Sequence, residues 1–568
     1  MRWNERCAYK LDVFAMPSFQ GKDVDITRRN FAKGLAAGVG AAMVPPMALA
    51  QSRDGIVKSP NIVYICSDQH SGQLLMGGPG RDVPVRTPNL ERLAARGVYF
   101  RNAYCGSPLC APGRASMATG RFASDVGSYG NTTVFEGGAP TWGNYLRDAG
   151  YFCWATGKMD LTSAADLGFQ QVETTHEHFI KPDITELFRR PTCYRVDERR
   201  LVDGFAGERA KADQERLARG LAFVEEQAAT RKTPWAAYIG VVTPHPPFIA
   251  PQKYLDLYPT DQIQLPNIPP GSLEHQHLVY QVLRNFSLQS TPISEERVRR
   301  ARSAYYAMIT ELDDHLGAII DALEQRGTLK DTVFIYTSDH GEMHGDHGLW
   351  LKRSLYEGSA RVPIIMAGAG LPEGKVIDTP VSDVDLTATL LDLGGVPRPN
   401  GLRGRSLLPL IHGDANAAPP HVYSECHTEG NCTGSFMIRK GDWKYLYFSF
   451  YGNNHLFNLR DDPGEMNNLA GRPETASIEK ELHEVLTSLV DPDAVTLRGF
   501  EKVEQVLASM VQKHDAHSFY EVLGGRLGQG QAALLAQKHY PHWKPANLEL
   551  TGSKVSRKSR KTAGQGVE

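Results

Sequence analysis

Asn61-Ile62-Val63-Tyr64-Ile65-Cys66, closing on Ser67-Asp68-Gln69-His70, is the stretch whose reading decides the fold. A continuous apolar run rich in β-branched residues, without polar alternation, reads as a strand buried on both faces. The polar residues mark its carboxyl end. The same unit recurs along the chain. Tyr151-Phe152-Cys153-Trp154-Ala155 ends at Thr156-Gly157-Lys158, and Trp235 to Val242 ends at Thr243-Pro244-His245-Pro246-Pro247. Thr332 to Thr337 ends at Ser338-Asp339-His340-Gly341. Helical patterns lie around Asn89 to Arg96 and over Glu295 to Arg326. Strand, polar tip and helix in repetition predict an α/β layered fold, with its site at the carboxyl edge of the strands.

Beyond about Leu410 the texture changes to shorter, antiparallel-looking pieces such as Phe436 to Arg439 and Lys444 to Phe450. A main domain over 51–410, a smaller C-terminal α+β subdomain over 411–510 and a tail over 511–568 are expected. From Ser553 the tail is basic and polar, and disorder is expected there.

The 568 residues suffice for one large core and a smaller one. Sixty-two basic against 64 acidic residues leave a net charge of −2, which offers no basic footprint for nucleic acid. Hydrophobic residues at 41% and charged residues at 22% fit a globular chain. Past the N-terminus no apolar run is long enough to span a bilayer.

The N-terminus reads as an address. Thr27-Arg28-Arg29-Asn30-Phe31-Ala32-Lys33 precedes a mild apolar stretch from Gly34 to Val44 and then Ala48-Leu49-Ala50. That is a charged region, a short h-region and an A-x-A cleavage site. Twin arginines before a weakly hydrophobic h-region resemble a Tat signal. Residues 1–50 are therefore predicted to be removed, leaving a periplasmic or secreted protein, with Met16 as an alternative start. Tat export moves folded proteins, so a modified residue can be installed beforehand. Of the eight cysteines, Cys66 and Cys153 sit in strand-like runs, and Cys426 and Cys432 are close enough to pair. Their spacing is not that of a zinc site.

The chemistry concentrates in Ser107-Pro108-Leu109-Cys110-Ala111-Pro112-Gly113-Arg114-Ala115-Ser116-Met117-Ala118-Thr119-Gly120-Arg121. It reads as a loop opening into a helix, and Pro112 suits the first turn. The free amides of that turn, with Arg114 beside them, make a seat for a tetrahedral oxyanion.

Cys110-x-Pro112-x-Arg114 followed by Thr119-Gly120 resembles the signature of the type I sulfatases of the alkaline phosphatase superfamily. Asp68-Gln69 resembles the pairing of choline sulfatases and phosphonate monoester hydrolases. Asn102 to Pro112, Gly127-Ser128-Tyr129-Gly130-Asn131, Gly348 to Pro363 and Asp491 to Val495 are similar to the choline sulfatase branch. Leu456 to Pro463 and Glu465 to Leu469 resemble the sulfatase C-terminal subdomain. The resemblance spans roughly Asn61 to Val495.

It implies an alkaline-phosphatase-like layered fold and an exported enzyme hydrolysing a small-molecule sulfate ester. A formylglycine-generating enzyme is implied to convert Cys110 to formylglycine before export. Asp68, Gln69, Cys110, Asp339 and His340 are implied to surround a divalent metal, calcium by their hardness, with manganese admitted by the histidine. Arg114 and Lys158 are implied to hold the nucleophile. His245, Lys352 and Asn131 are implied to grip the sulfate and assist the leaving alkoxide. A homo-oligomer is also implied, with Phe519 to Pro541, including Gly528-Gln529-Gly530-Gln531, packing on a neighbouring subunit. Two alternatives stand beside this reading. One is a phosphonate monoester or phosphodiester hydrolase on the same site, and the other a non-catalytic sulfatase-like binding protein.

Two positions depart from the family pattern. Gly113 stands where serine is usual, and Asp160 where histidine is common. An ionised acid at 160 repels a bound anion, so Asp160 either points away or serves a cationic substrate or a different leaving group.

Overall fold

The apolar run at Asn61 forms β1 (Asn61–Asp68), an interior strand of a nine-stranded sheet. The structure is a computed structural model and describes residues 59–75, 85–162, 165–173, 203–208, 211–527 and 529–543. The expected signal over 1–50 and the polar end from Ser553 lie outside the described residues. The other strands of this sheet are β2 (Gly97–Tyr104), β3 (Phe152–Gly157), β4 (Gln171–Glu173), β6 (Trp235–Pro244), β8 (Thr332–Ser338), β9 (Arg361–Gly368), β10 (Lys375–Ile377) and β11 (Val381–Ser382). Their order is β10-β2-β9-β8-β1-β6-β3-β4, with β11 also beside β2. A separate short pair joins β5 (Phe205–Ala206) to β7 (Ile249–Ala250).

Pairing is parallel from β8 through β4, whereas β9 runs antiparallel to both β2 and β8. Parallel pairing brings the ends of β1, β3, β6 and β8 to one edge. Successive β1 side chains face opposite layers. Ile62, Tyr64 and Cys66 meet α3 (Trp142–Asp148) and α6 (Asp385–Leu393), through Trp142, Leu146, Leu386 and Leu390. Val63 and Ile65 meet α1 (Pro88–Ala95), α4 (Lys211–Thr230) and α5 (Glu295–Gln325), through Leu90, Leu217, Leu312 and Leu316. Helices on both faces bury the central strands, which is why these read as unbroken apolar runs, while the outer strands β4 and β10 leave Val172 and Val376 exposed.

The cysteine loop feeds α2 (Cys110–Thr119), every residue of which is buried. Gly113 has a steric reason. A Cβ there would come 2.8 Å from the Ser107 carbonyl oxygen and 2.9 Å from that of Asp339. The glycine lets the helix press against the end of β8.

The antiparallel sheet foreseen beyond Leu410 has the order β12 (Val422–Cys426), β13 (Ser435–Lys440), β14 (Trp443–Phe448), β15 (His455–Asn458). Helix α7 (Ala476–Leu489) packs Leu482 and Leu486 onto Ile438, Tyr445 and Leu456. The sheet is fastened to the main body by Glu425 N–H donating to the Gly106 carbonyl at 3.1 Å. A buried Lys444 ammonium adds to this, 2.9 Å from Glu357 and 2.8 Å from Glu465. Three helices follow: α8 (Pro492–Lys513), α9 (Ala516–Leu527) and α10 (Gln529–His539). Phe519, Leu523, Ala532 and Ala536 pack with Val503, Met510 and Phe286 of the same chain. Gly528 lies outside the described residues.

Cys426 and Cys432 are not bonded to each other; both are free thiols. Cys426 Sγ instead faces the Arg353 carbonyl at 3.6 Å and Asn431 Nδ2 at 3.3 Å. Among the described residues no helix is long and apolar enough to cross a membrane.

Candidate active site

The edge where β1, β3, β6 and β8 end gathers the polar tips. Asp68 closes β1, Lys158 follows β3, His245 follows β6, and Asp339 and His340 follow β8. Cys110 reaches them as the first residue of α2. Ligand atoms of Asp68, Cys110, Asp339 and His340 all lie within 4.8 Å of one another, and all four residues are buried.

Cys110 Sγ is the meeting point. It lies 3.9 Å from Asp68 Oδ1, 3.4 Å from His340 Nε2 and 2.7 Å from Lys352 Nζ. Burial, reinforced by Asp68, pushes the thiol up to about 12, so it is protonated at neutral pH. Burial opposes ionisation of Asp68 as well, but Lys158, His245, Lys352 and His340 outweigh it and hold that carboxyl well below its usual range.

Lys158 ion-pairs with Asp68 and stands 3.1 Å from Asp160. Burial works against its charge, and those two carboxylates, Asp160 first, override it and hold the ammonium well above its ordinary value. Asp160 is itself buried, with φ of 51°, and its Oδ2 is also 3.8 Å from Arg114 Nε. Its charge is therefore met by two cations.

Arg114 directs its donors at the scaffold. Nε donates to Asp339 Oδ2 at 2.8 Å, and Nη1 donates to the Lys158 carbonyl at 2.7 Å and to Tyr238 Oη at 2.8 Å. Nη2 reaches the Ser67 carbonyl at 3.4 Å. The guanidinium thus ties the ends of β1 and β3 and orients Asp339.

Asn131 and His245 stand at the half-buried mouth. Asn131 Oδ1 accepts from the Ala111 N–H at 3.0 Å, in the first turn of α2. Its own N–H donates to Glu429 Oε1 at 3.0 Å, which brings a loop of the C-terminal sheet to the mouth. His245 Nδ1 faces the Pro246 carbonyl at 2.8 Å, so that nitrogen carries the hydrogen. Asp213 holds the turn that carries it, accepting from Thr243 N and Thr243 Oγ1, each at 2.7 Å.

Gln69 donates through Nε2 to Glu342, and its backbone N–H donates to Asp339 Oδ1 at 3.1 Å. Its Oε1 is a buried oxygen with no hydrogen-bond partner among the described residues. Glu342, Tyr238, Glu429 and Asp213 are not singled out by sequence reading. Glu342 alone has a local signal, two residues past His340.

With this geometry in hand, the comparisons with known proteins are specific. The sequence model of the Sulfatase family matches residues 60–396, and that of the N-sulphoglucosamine sulphohydrolase C-terminal region matches residues 345–491. The chain belongs to the sulfatase family. This sulfatase is 35% identical over 433 residues to a choline-sulfatase of Rhizobium meliloti, covering 73% of this chain and 83% of that one. It is 32% identical over 480 residues to arylsulfatase K of Homo sapiens, covering 80% of this chain and 87% of the relative. Among solved structures, a phosphonate monoester hydrolase of Silicibacter pomeroyi superposes with a TM-score of 0.63 at 26% identity. That match covers 76% of this chain and 94% of the other. The family makes the chain a sulfuric ester hydrolase with an alkaline-phosphatase-like fold.

The family also implies a divalent metal, and the residues present fit one. His340 Nδ1 faces the Gly341 carbonyl at 3.0 Å and so carries its hydrogen. That leaves the Nε2 lone pair 3.4 Å from Asp68 Oδ1 and 3.5 Å from Asp339 Oδ1. A lone pair set against two carboxylate oxygens is repulsive without a cation between them. The buried, unpartnered amide oxygen of Gln69, next in the chain to Asp68, is a further hard donor, and hard oxygens with one imidazole suit calcium or manganese.

Proposed function

We propose that this sulfatase hydrolyses a small-molecule sulfate ester through Cys110 converted to formylglycine. A divalent cation, calcium in the first instance, would be held by Asp68, Gln69, Asp339 and His340. The observation that carries the reading is the setting of Cys110. Its protonated thiol is a poor nucleophile, yet it sits where the metal donors and Lys352 converge. Formylglycine supplies an electrophilic aldehyde carbon, hydrated in water, in place of that thiol. The cation supplies charge that lowers the pKa of an oxygen nucleophile and stabilises an anion.

The chain's own residues do the rest. Lys352 holds an ammonium at the reacting position, where it neutralises charge on a sulfate oxygen. Lys158, clamped between Asp68 and Asp160, keeps a second fixed cation beside the nucleophile. Asn131 fixes the first turn of α2, whose dipole favours the anion. His245 donates its Nδ1 hydrogen to the Pro246 carbonyl, so in the imidazolium form Nε2 is the nitrogen left to protonate the leaving alkoxide. The twin-arginine segment supports export, with modification by a formylglycine-generating enzyme beforehand. Replacing Arg28 and Arg29 by lysine should hold the protein in the cytoplasmic fraction, and unchanged delivery overturns that part.

Mass analysis of the tryptic peptide containing Cys110 tests the chemistry, with a loss of about 18 Da expected for thiol-to-aldehyde conversion. An unmodified peptide from fully active enzyme overturns it. The likeness to a phosphonate monoester hydrolase favours a second reading on the same site. Comparing kcat/KM for an aryl sulfate, a phosphodiester and a phosphonate monoester decides between the two. Turnover of the sulfate slower by orders of magnitude would replace the first reading by the second.

A further inference from the structure

Gln69 differs from the other candidate donors because its side chain is an amide. One end suits a cation and the other repels it, so the donor works in only one of two orientations. That orientation is set by partners. Nε2 donates to Glu342 Oε2, while Oε1 is buried without a hydrogen-bond partner among the described residues. A buried amide oxygen left without a partner is destabilising, and a cation partner removes that cost. The residue is otherwise pinned: φ is 71°, its N–H donates to Asp339, and its carbonyl accepts from Tyr305 Oη at 2.5 Å.

Glu342 is equally fixed. It is fully buried, and its Oε1 accepts from His344 N at 2.8 Å and from Leu351 N at 2.6 Å. With Oε1 occupied by two backbone donors, Oε2 is the oxygen turned to Gln69.

We propose that Glu342 is a positioning residue. It locks the Gln69 amide with its oxygen toward the Asp68–Asp339–His340 cluster and its NH2 group away from it. This rests on the metal-binding reading above, and Glu342 itself touches neither metal nor substrate.

An isosteric exchange separates this role from a merely structural one. In Glu342→Gln the remaining acceptor oxygen still serves His344 and Leu351, so the loop keeps its hydrogen bonds. The new NH2 group then meets the Gln69 NH2, donor against donor. The Gln69 amide relieves this by turning over, which presents NH2 to the cation. Adding Gln69→Glu restores the match, because the carboxylate accepts from the new NH2 group at position 342 and offers its second oxygen to the metal.

The experiment titrates calcium chloride, then manganese chloride, into chelator-stripped full-length protein by calorimetry, with Tm recorded in chelator. Glu342→Gln should weaken binding about 10- to 100-fold, the range for losing a partner that orients a ligand. Glu342→Gln with Gln69→Glu should recover affinity to within a few-fold of the parent. Gln69→Glu alone sets two carboxylates together and should not match the double variant. Unchanged affinity in Glu342→Gln, or a double variant no better than Gln69→Glu, overturns the assignment while leaving the metal reading intact. A lower Tm for Glu342→Gln does not rescue a failed prediction, since recovery by the double variant remains decisive. A parent chain that takes up neither ion overturns the metal reading and this assignment with it.

Discussion

Lys352 Nζ lies 2.7 Å from Cys110 Sγ, with both side chains buried. An ammonium fixed at that distance from the reacting atom stabilises negative charge that grows during sulfur–oxygen cleavage. Lys352→Met keeps most of the apolar stem and removes the charge. We expect kcat to fall about 10²- to 10³-fold, as for loss of a single preorganised donor to a developing anion. Steady-state kinetics on an aryl sulfate check this, and a change confined to KM would assign Lys352 to ground-state binding instead.

Asp160 is not the liability its sequence position suggests. The φ of 51° at Asp160 folds the acid back onto Lys158 and Arg114, within 3.1 and 3.8 Å. Asp68, Asp160 and Asp339 then share one buried interior with Lys158, Lys352 and Arg114. Removing one partner from a buried ion pair costs about 3–5 kcal/mol. Asp160→Ala should fall near 3 kcal/mol, the low end, because Lys158 keeps Asp68 and Arg114 keeps Asp339. Urea unfolding of the two proteins measures the difference, and no change in midpoint would show the acid to be dispensable.

How much of this is legible in the sequence follows from which contacts are local. Asp68, Lys158, His245 and Asp339 each close an apolar run, and parallel pairing alone carries such ends to one edge. The antiparallel sense of β9 is not legible, because Val362 to Met366 reads the same in either direction. Glu342 escapes notice for a different reason. Its value lies in meeting Gln69, 273 positions away, and no local pattern encodes that encounter. Arg114 is found at once but its partners are not, since only the fold shows its fork occupied by Asp339, Lys158 and Tyr238. Asp160 is legible as an anomaly, while the cations that answer it are not.

Gly113 supplies a steric test. The family pattern has serine there, yet a Cβ would come within 3 Å of the Ser107 and Asp339 carbonyl oxygens. Gly113→Ser should push the first turn of α2 away from the end of β8. We expect a loss of about 1–3 kcal/mol, typical of overpacking a tight interior. Displacing Cys110 should also reduce kcat. A Tm equal to that of the parent would mean that the helix moves aside at no cost.

Acid should weaken the junction between the main body and the C-terminal sheet through three histidines. His277 stacks on Phe448 with ring centroids 3.8 Å apart, His347 stacks on Tyr356 at 4.0 Å, and His455 lies 5.5 Å from His277. Burial lowers all three below the ordinary imidazole value, and His455, lowered further by His277 and His347, reaches about 3. A depressed folded-state value means that the unfolded chain binds the proton more readily. His455 therefore costs nothing well above pH 6.5, and its destabilising effect grows as pH falls until it levels off near 3. Within that window the slope approaches about 1.4 kcal/mol per pH unit for this one group. His455→Phe places an aromatic ring among Tyr280, Phe448 and Phe457 without a titrating nitrogen. Urea midpoints measured from pH 7 to 4.5 should fall less steeply for the variant than for the parent. Parallel curves would mean that His455 takes up its proton without disturbing the fold.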